Sequence, residues 1–479
     1  MMGDTPSEHS LIIGGDHVRT GDCADVLNPY DGSVVGRVAI AGPSEVDRAV
    51  EAAAEAFRRN DFPQHERAAV LRRAADLVEW RQDAFADVIC SEAGKPIAAA
   101  TAEVGRAVQT LRFSAAEALK LTGETVPMQA SDTGGEKLGI ALRVPLGVVA
   151  LISPFNFPLN LVVHKVGPAI AAGNSVVLKP ATETALTAAM LADVLIEAGT
   201  PDGWFNLVYG SGSVVGNRLV EHDLVRGISF TGSSPVGWGI RTKAPDKKVC
   251  LELGSTAPLI VDADGDWATA ADKATVNAFS YSGQSCVSVQ RIILHESIAD
   301  RFIERFVEGV GKLKVGDPSR PDTHVGPLIN PGERDRVLNW VREAEAGGAQ
   351  ILIGGELVDD GACLAPTVML EPDRSQRVWC QEVFGPVAAI RVVPDLDAAI
   401  SEANEASYGL QAGVFTATVK NALKAARGLE FGGVLLNEVP TFRSDQMPYG
   451  GVKDSGNSKE GPAYAVRELS ELRFLSLEG

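Results

Sequence analysis

The sequence predicts an α/β fold made of parallel sheets with helices packed on their faces, a doubly wound arrangement. Three observations carry this. From about residue 143 onward, short apolar runs alternate with helical stretches, the pattern of strand–helix–strand units whose sheet is buried on both sides. The alternation falls into two blocks, about 143–254 and 255–436. Two further β-like segments, 138–144 and 472–477, stand apart from both blocks.

Two amphipathic helices open the folded part. Residues 44–58 place Val46, Ala49, Val50, Ala53 and Phe57 on one face, and Ser44 with Asp47 reads as a capping box. Residues 67–91 repeat the pattern through Val70, Leu71, Ala74, Leu77, Val78, Phe85 and Val88. The first block then supplies strands at 148–153, 175–180, 205–210 and 227–232, with a helix over 184–198 stopped by Gly199 and Pro201. The second block supplies strands at 257–261, 291–295, 387–393, 412–417 and 432–437. The segments 138–144 and 472–477 have no obvious local partner, and unpaired strands of this kind can pair across a subunit interface.

Composition narrows the function. The chain is 45% hydrophobic and 22% charged, which belongs to an ordinary globular protein and excludes a disordered one. Its net charge of −18 repels nucleic acid and anionic membrane. The six cysteines and seven histidines are scattered, with no CxxC pair and no zinc-site spacing, so neither a disulfide framework nor a bound metal is expected. The start, MMGDTPSEHS, is polar and lacks a signal-peptide core, and the longest clean apolar run, 146–152, is too short to cross a membrane. The expectation is a cytoplasmic enzyme with free thiols.

The motifs are individually modest. The dinucleotide fingerprint GxGxxG is absent; the nearest match, Gly210-Ser-Gly212-Ser-Val-Val-Gly216, has one residue too many. It still follows a strand, as does Phe230-Thr231-Gly232-Ser233, and open α/β sheets bind ligands at strand carboxyl ends. Asp262, Asp264 and Asp266 resemble a calcium loop, but Trp267 stands where such a loop needs Gly, so a solvated helix start is the better reading. Gly283-Gln284-Ser285-Cys286 admits two readings: an inert buried thiol or a nucleophile. A nucleophile needs a base and an oxyanion donor. Glu252 ends a strand in LELG, and Asn156 is held between two prolines in PFNFP. Lys179 ends the strand 175–180, where its ammonium would suit a ribose or phosphate.

Taken together, PFNFP (154–158), VLKPATET (177–184), FTGSSPVG (230–237), LELG (251–254), GQSC (283–286), EVFGP (382–386) and MPYGGVKDSG (447–456) occur in the order and approximate spacing of the aldehyde dehydrogenase superfamily. The chain resembles that family over nearly its whole length. The resemblance implies a Rossmann-type cofactor domain over 1–124 and 143–254, and an α/β catalytic domain over 255–453. It also implies a β oligomerisation arm with a C-terminal segment over 125–142 and 454–479. A homodimer or homotetramer follows, with NAD or NADP as cofactor and a small-molecule aldehyde as substrate.

By the same resemblance, Cys286 would attack the aldehyde carbon, and the Asn156 amide with the Cys286 backbone N–H would hold the oxyanion. Glu252 would activate the water that hydrolyses the resulting thioester. Glu382 would hold the nicotinamide ribose and Lys179 the adenosine ribose. Gly210, Gly212, Gly232 and Ser233 would line the pyrophosphate and nicotinamide side, with Ser153, Phe155, Phe230, Thr231, Leu253 and Phe384 around them.

Two positions depart from the commonest family pattern. Phe155 replaces a Trp, a mild aromatic swap. Thr182 stands where NAD-preferring members often carry a Glu that binds the ribose hydroxyls. A carboxylate there would repel the 2′-phosphate of NADP and Thr would not, so NADP is expected to be accepted. The segments 251–261, 284–291 and 440–451 look most like the branch containing lactaldehyde, glycolaldehyde and phosphonoacetaldehyde dehydrogenases. Arg443, just before MPYGG, Arg106 and Arg112 on a helical stretch, and Phe157 are the candidate substrate residues. Phosphonate-specific members carry basic residues where this chain has Ser285 and Pro158, which disfavours a phosphonate. The expectation is a short hydroxy- or acid-bearing aldehyde. Acyl transfer to coenzyme A is the alternative, and Glu252 argues against it. A non-catalytic, crystallin-like relative would have lost Cys286 or Glu252, and both are present. Cys250, two residues before Glu252, is either a plain buried thiol or a disulfide partner for Cys286.

Overall fold

Five apolar runs of the N-terminal half become the parallel part of a seven-stranded sheet. Across the sheet they are Lys248–Glu252, Val225–Thr231, Val148–Ile152, Ser175–Lys179 and Phe205–Leu207. The hairpin Leu11–Ile13 and Asp16–Val18 continues the sheet in antiparallel register. Every residue of Val148–Ile152 and Ser175–Lys179 is buried, as a sheet covered on both faces requires. In the computed structural model, residues 7–478 are described. The first six residues of the polar N-terminal stretch and Gly479 lie outside them.

The second half forms another seven-stranded sheet. Its order is Gln350–Ile353, Thr367–Leu370, Val387–Val393, Arg291–His295, Pro258–Val261, Gln411–Phe415 and Gly433–Leu436. All neighbours are parallel except the first pair. Each sheet organises its own apolar core. One core gathers residues from Leu11 to Leu253 together with Val466 and Leu469, and the others draw on residues 259–439.

The segments 138–144 and 472–477 do find partners, and they are each other. Leu138–Pro145 pairs antiparallel with Ser470–Leu477 along its whole length and with Glu124–Val126 on its other side. The pairing joins chain segments more than 300 residues apart, which no local pattern reveals. The resulting sheet leaves Leu138, Leu142, Leu472, Phe474, Leu475 and Leu477 exposed.

Three local readings need correction. The helix expected over 67–91 is two helices, Gln64–Trp80 and Gln82–Ala93. Arg81 leaves helical geometry (φ −100°, ψ 22°), and its guanidinium pairs with Glu197 of the neighbouring helix Ala185–Glu197. The Ser44–Asp47 capping box is not formed. Pro43 starts the helix Pro43–Arg59 one residue earlier, the Gly42 N–H donates to Glu45, and Asp47 pairs with Arg218. The strand expected over 205–210 ends at Leu207, after which the chain turns towards the short helical segment Gly212–Gly216. Asp266 caps the helix Trp267–Asn277, in line with the helix-start reading of the acidic run. Among the described residues no cluster suits a metal ion, and no helix is long and apolar enough to cross a membrane.

Candidate active site

The segment Tyr449–Glu460 stitches the two halves together, and the site forms where it does so. The Leu253 N–H donates to the Ser455 carbonyl (3.0 Å), and the Leu251 N–H to the Asn457 side chain (2.9 Å). The edge strand Lys248–Glu252 of the first sheet is thereby held against a loop that follows the second.

Cys286 sits at the end of a strained turn. Tyr281 (φ 48°) and Ser282 (φ 56°) both adopt left-handed backbone, which costs about 1–3 kcal/mol each. Neighbouring elements hold them there: the Tyr281 hydroxyl donates to the Ala93 carbonyl (3.0 Å) and Ser282 to the Gly326 carbonyl (2.7 Å). Half-buried, Cys286 borders two cavities. The larger, about 510 Å³, is also lined by Phe155, Asn156, Thr231, Gly232, Ser233, Leu253, Glu382 and Phe384. The smaller, about 230 Å³, is also lined by Phe157, Arg106, Arg443, Thr441, Ser285 and Tyr449. The sulfur therefore faces one chamber able to hold a flat cofactor ring and another sized for a small molecule.

Asn156 is buried beside the turn. Its amide N–H donates to the Gln284 carbonyl (3.0 Å), and its Oδ1 has no partner among the described residues. Lys95 fixes its backbone by donating to the Asn156 carbonyl (2.6 Å), and Lys95 is itself buried against Glu103. Glu103 in turn accepts from the Leu159 and Asn160 N–H groups (both 3.0 Å), at the start of the helix Asn160–Ala172.

Glu252 ends its strand buried, with Oε1 accepting from Ser458 (3.0 Å) and Oε2 unpaired. Burial raises its pKa well above the ordinary carboxylate range, and repulsion from Glu460 raises it further. Glu460 behaves in the opposite way. Burial alone would raise it, but Lys165, Arg443 and His164 outweigh burial and hold its carboxyl well below the usual range. Glu252 and Cys286 flank one dipeptide. Tyr449 touches the sulfur, and a Cβ on Gly450 would lie 2.7 Å from Glu252 Oε1, so only glycine lets the carboxylate sit there.

The cofactor-side expectations separate into two groups. Glu382 accepts from the Ser255 N–H (2.9 Å), and burial pushes its carboxyl up to about 7. Phe155 meets Phe384 edge-on at 5.7 Å. Lys179, Thr182, Gly210 and Gly212 are not lining residues of the larger cavity. They gather at the carboxyl ends of Ser175–Lys179 and Phe205–Leu207, where the Thr182 hydroxyl donates to the Gly210 carbonyl (3.4 Å). Burial lowers the Lys179 ammonium to about 8. Ser153 and Phe230 are buried behind the site; the Ser153 N–H donates to the Lys179 carbonyl, and Phe230 packs under Gly232.

Of the three arginines, two reach the smaller cavity. Arg106 forms a two-pronged pair with Asp445 (2.8 and 3.2 Å). Arg443 is buried, donates to Glu460 (2.9 Å), lies 3.7 Å over the Tyr449 ring, and leaves its Nε unpartnered. Arg112 does not belong to the site: it points away and pairs with Glu79 and Asp76 at the surface. Cys250 is a buried thiol, and all six cysteines are free. Sequence reasoning missed Tyr449, Ser458, Glu460, Lys165 and the Lys95–Glu103 pair. It also missed Glu333, Arg336 and Trp340, which line the larger cavity. Only Tyr449, inside MPYGG, lay within a motif that was singled out.

Comparison with known proteins places nearly the whole chain in one family. The model of the aldehyde dehydrogenase family matches residues 17–475. A 3-sulfolactaldehyde dehydrogenase of Priestia megaterium is 43% identical over 470 residues, 98% of each chain. Among solved structures, aldehyde dehydrogenase 21 from Physcomitrella patens, in complex with the reaction product succinate, superposes with a TM-score of 0.95 at 36% identity. That match covers 99% of this chain and 98% of that one. The glyceraldehyde-3-phosphate dehydrogenase GapN of Methanocaldococcus jannaschii, complexed with NADP, gives 0.91 at 37% identity, covering 96% of this chain and 100% of that one.

Proposed function

The chain belongs to the aldehyde dehydrogenase family, and on that premise we propose that it oxidises a short anionic or hydroxylated aldehyde to its carboxylic acid through Cys286. The observation that carries this reading is the placement of Cys286 between the two cavities, with Arg443 and Arg106 lining the smaller one. The named substrates of the relatives fit it: a sulfonated aldehyde in one and a dicarboxylate product in another.

The larger cavity suits NAD or NADP. Glu382 stands ready for a ribose hydroxyl, the Phe155–Phe384 pair offers an aromatic wall, and Arg336 supplies positive charge in an acidic chain. When bound, the cofactor accepts the hydride. The protein's own part is as follows. Asn156 and the Cys286 N–H receive the oxyanion formed when the thiolate adds to the aldehyde. Glu252 Oε2 then takes a proton from water, so that hydroxide cleaves the Cys286 thioester. A raised pKa suits that role, because a base works best near the operating pH.

Lys179 and Thr182 would hold the adenosine ribose at the neighbouring strand ends. Because Thr182 lacks the carboxylate that repels a 2′-phosphate, initial-rate assays should show kcat/KM with NADP within a hundredfold of that with NAD. A larger preference for NAD removes this assignment of Thr182.

The substrate assignment rests on Arg443. A buried cation bonding to an anion contributes about ten- to a hundredfold in affinity. Short aldehydes bearing a carboxylate, sulfonate or hydroxyl should exceed long alkyl aldehydes by about tenfold or more in kcat/KM. Arg443→Gln should erase most of that ratio for the anionic members. Equal kcat/KM across the panel would count against the reading. We also assign a cofactor domain to 1–124 with 143–254 and a catalytic domain to 255–453, since each carries its own sheet and core. The exposed apolar face of the sheet Ser470–Leu477, Leu138–Pro145 and Glu124–Val126 fits a homodimer or homotetramer arm. A cytoplasmic location accords with the free thiols.

A further inference from the structure

Resting on Cys286 as the nucleophile, we propose that Tyr449 is a further catalytic residue, whose hydroxyl donates a hydrogen bond to the Cys286 sulfur and stabilises the thiolate. Tyr449 Oη lies 2.7 Å from Sγ, and among the described residues each is the other's one side-chain hydrogen-bond partner. Among the described residues no other side chain hydrogen-bonds to the sulfur. Asn156 is bonded to the Gln284 carbonyl and Glu252 to Ser458. Arg443, whose charge also acts on the sulfur, makes its own contacts with Glu460 and the face of the tyrosine ring and no hydrogen bond to the sulfur.

The ring is clamped rather than loosely placed. Its backbone exchanges two hydrogen bonds with Glu460 (2.6 and 3.2 Å). Its face lies under Arg443 at 3.7 Å, and its edge packs with Val287 and Leu410. The chain thus forms a closed circuit, Tyr449 to Glu460 to Arg443 and back over the ring, that aims the hydroxyl at Sγ. Both Tyr449 and Cys286 border the smaller cavity, so the bond forms on the aldehyde side of the sulfur, away from the larger chamber.

Tyr449 is the donor once Cys286 is ionised. Burial raises the Tyr449 hydroxyl well above its ordinary pKa, and the neighbouring sulfur raises it further, so Tyr449 keeps its proton at neutral pH and has it to donate to the thiolate. Burial pushes the Cys286 thiol up to about 12; the tyrosine bond and Arg443 work against that, while Glu382 and Glu460 add to it. In the step itself the S–H bond breaks and its proton leaves to solvent through the cavity. Tyr449 retains its O–H and points it at the anionic sulfur. When the S–C bond forms, the sulfur becomes neutral and the hydrogen bond weakens, so the donor does not hold back the product of addition.

The test is Tyr449→Phe, which keeps the ring, the Arg443 stacking and the apolar packing while removing only the O–H. The rate of Cys286 alkylation by iodoacetamide is measured against pH in the full-length enzyme. It is read on the Cys286 peptide by mass spectrometry, because Cys23 and Cys380 also reach solvent. The alkylation rate is expected to fall about tenfold or more at every pH below the thiol midpoint, the size of one hydrogen bond to a charged group. The kcat/KM for aldehyde should fall in parallel while the melting temperature stays close to wild type. An alkylation profile superimposable on wild type overturns the inference. Cys286→Ser separates the two levels. If it is inactive and the Tyr449→Phe profile is unchanged, only the tyrosine role fails; if it retains full turnover, the nucleophile itself is misassigned.

Discussion

Replacing Cys286 by Ser is expected to lower kcat by about 10³-fold or more while leaving cofactor affinity almost unchanged. An alcohol at this position is a far weaker nucleophile, and loss of a covalent nucleophile removes the route that divides the oxidation into two easier steps. The folded state should barely notice. Cys286 is half-buried, and the exchange of sulfur for oxygen disturbs one side-chain hydrogen bond, that to Tyr449. Initial rates with saturating aldehyde give kcat, and fluorescence titration with the reduced cofactor gives affinity. Full turnover by the Ser variant would remove Cys286 from the chemistry and, with it, the proposed function. Loss of both turnover and cofactor binding would instead indicate collapse of the turn at Tyr281 and Ser282, whose left-handed backbone is held in part by bonds to Ala93 and Gly326.

The sequence made legible whatever is written in neighbouring residues. The parallel strands of both sheets follow from apolar runs such as 148–153 and 291–295, because a buried strand must be apolar on both faces. The positions of Asn156, just after a strand, and Glu252, ending one, were legible for the same reason, whereas Cys286 was picked out by GQSC ahead of the strand 291–295. What stayed hidden depends on distant partners. The short hairpin Leu11–Ile13 with Asp16–Val18 has too few residues to show a period. The strands Gln350–Ile353 and Thr367–Leu370 went unread in the long interval between 295 and 387. The two isolated β segments found one another only through pairing across the chain. Arg112 and Arg106 share one helix, Ile97–Lys120. Their different fates depend on Asp445 and on Glu79, residues brought there by folding. Tyr449 was quoted within a motif, but nothing local tells that its hydroxyl meets a sulfur 163 residues earlier in the chain.

Glu252→Gln should uncouple the two halves of the reaction. The first half needs Cys286 and Asn156, so one equivalent of reduced cofactor per active site is expected to appear at close to the wild-type rate. The second half needs a base for water, and its loss should slow steady-state turnover by about 10²–10⁴-fold. Rapid mixing followed by absorbance of the reduced nicotinamide reads both phases, and mass spectrometry of the quenched enzyme should show the acyl group on Cys286. The pH dependence carries the same assignment. Because the Glu252 pKa is raised by burial and by Glu460, its basic form is scarce at low pH and grows as pH rises. Hydrolysis-limited turnover of the wild type should therefore climb with pH through that raised midpoint, and the Gln variant should lose the rise. Gln is close in shape and can still meet Ser458, so the loop Tyr449–Glu460 keeps its anchor. A variant that turns over within tenfold of wild type, with no burst, would mean that another group activates water. Acceleration of the stalled variant by added coenzyme A would show that the thioester is open to a thiol, and a wild type that also required coenzyme A would replace hydrolysis by acyl transfer as the final step.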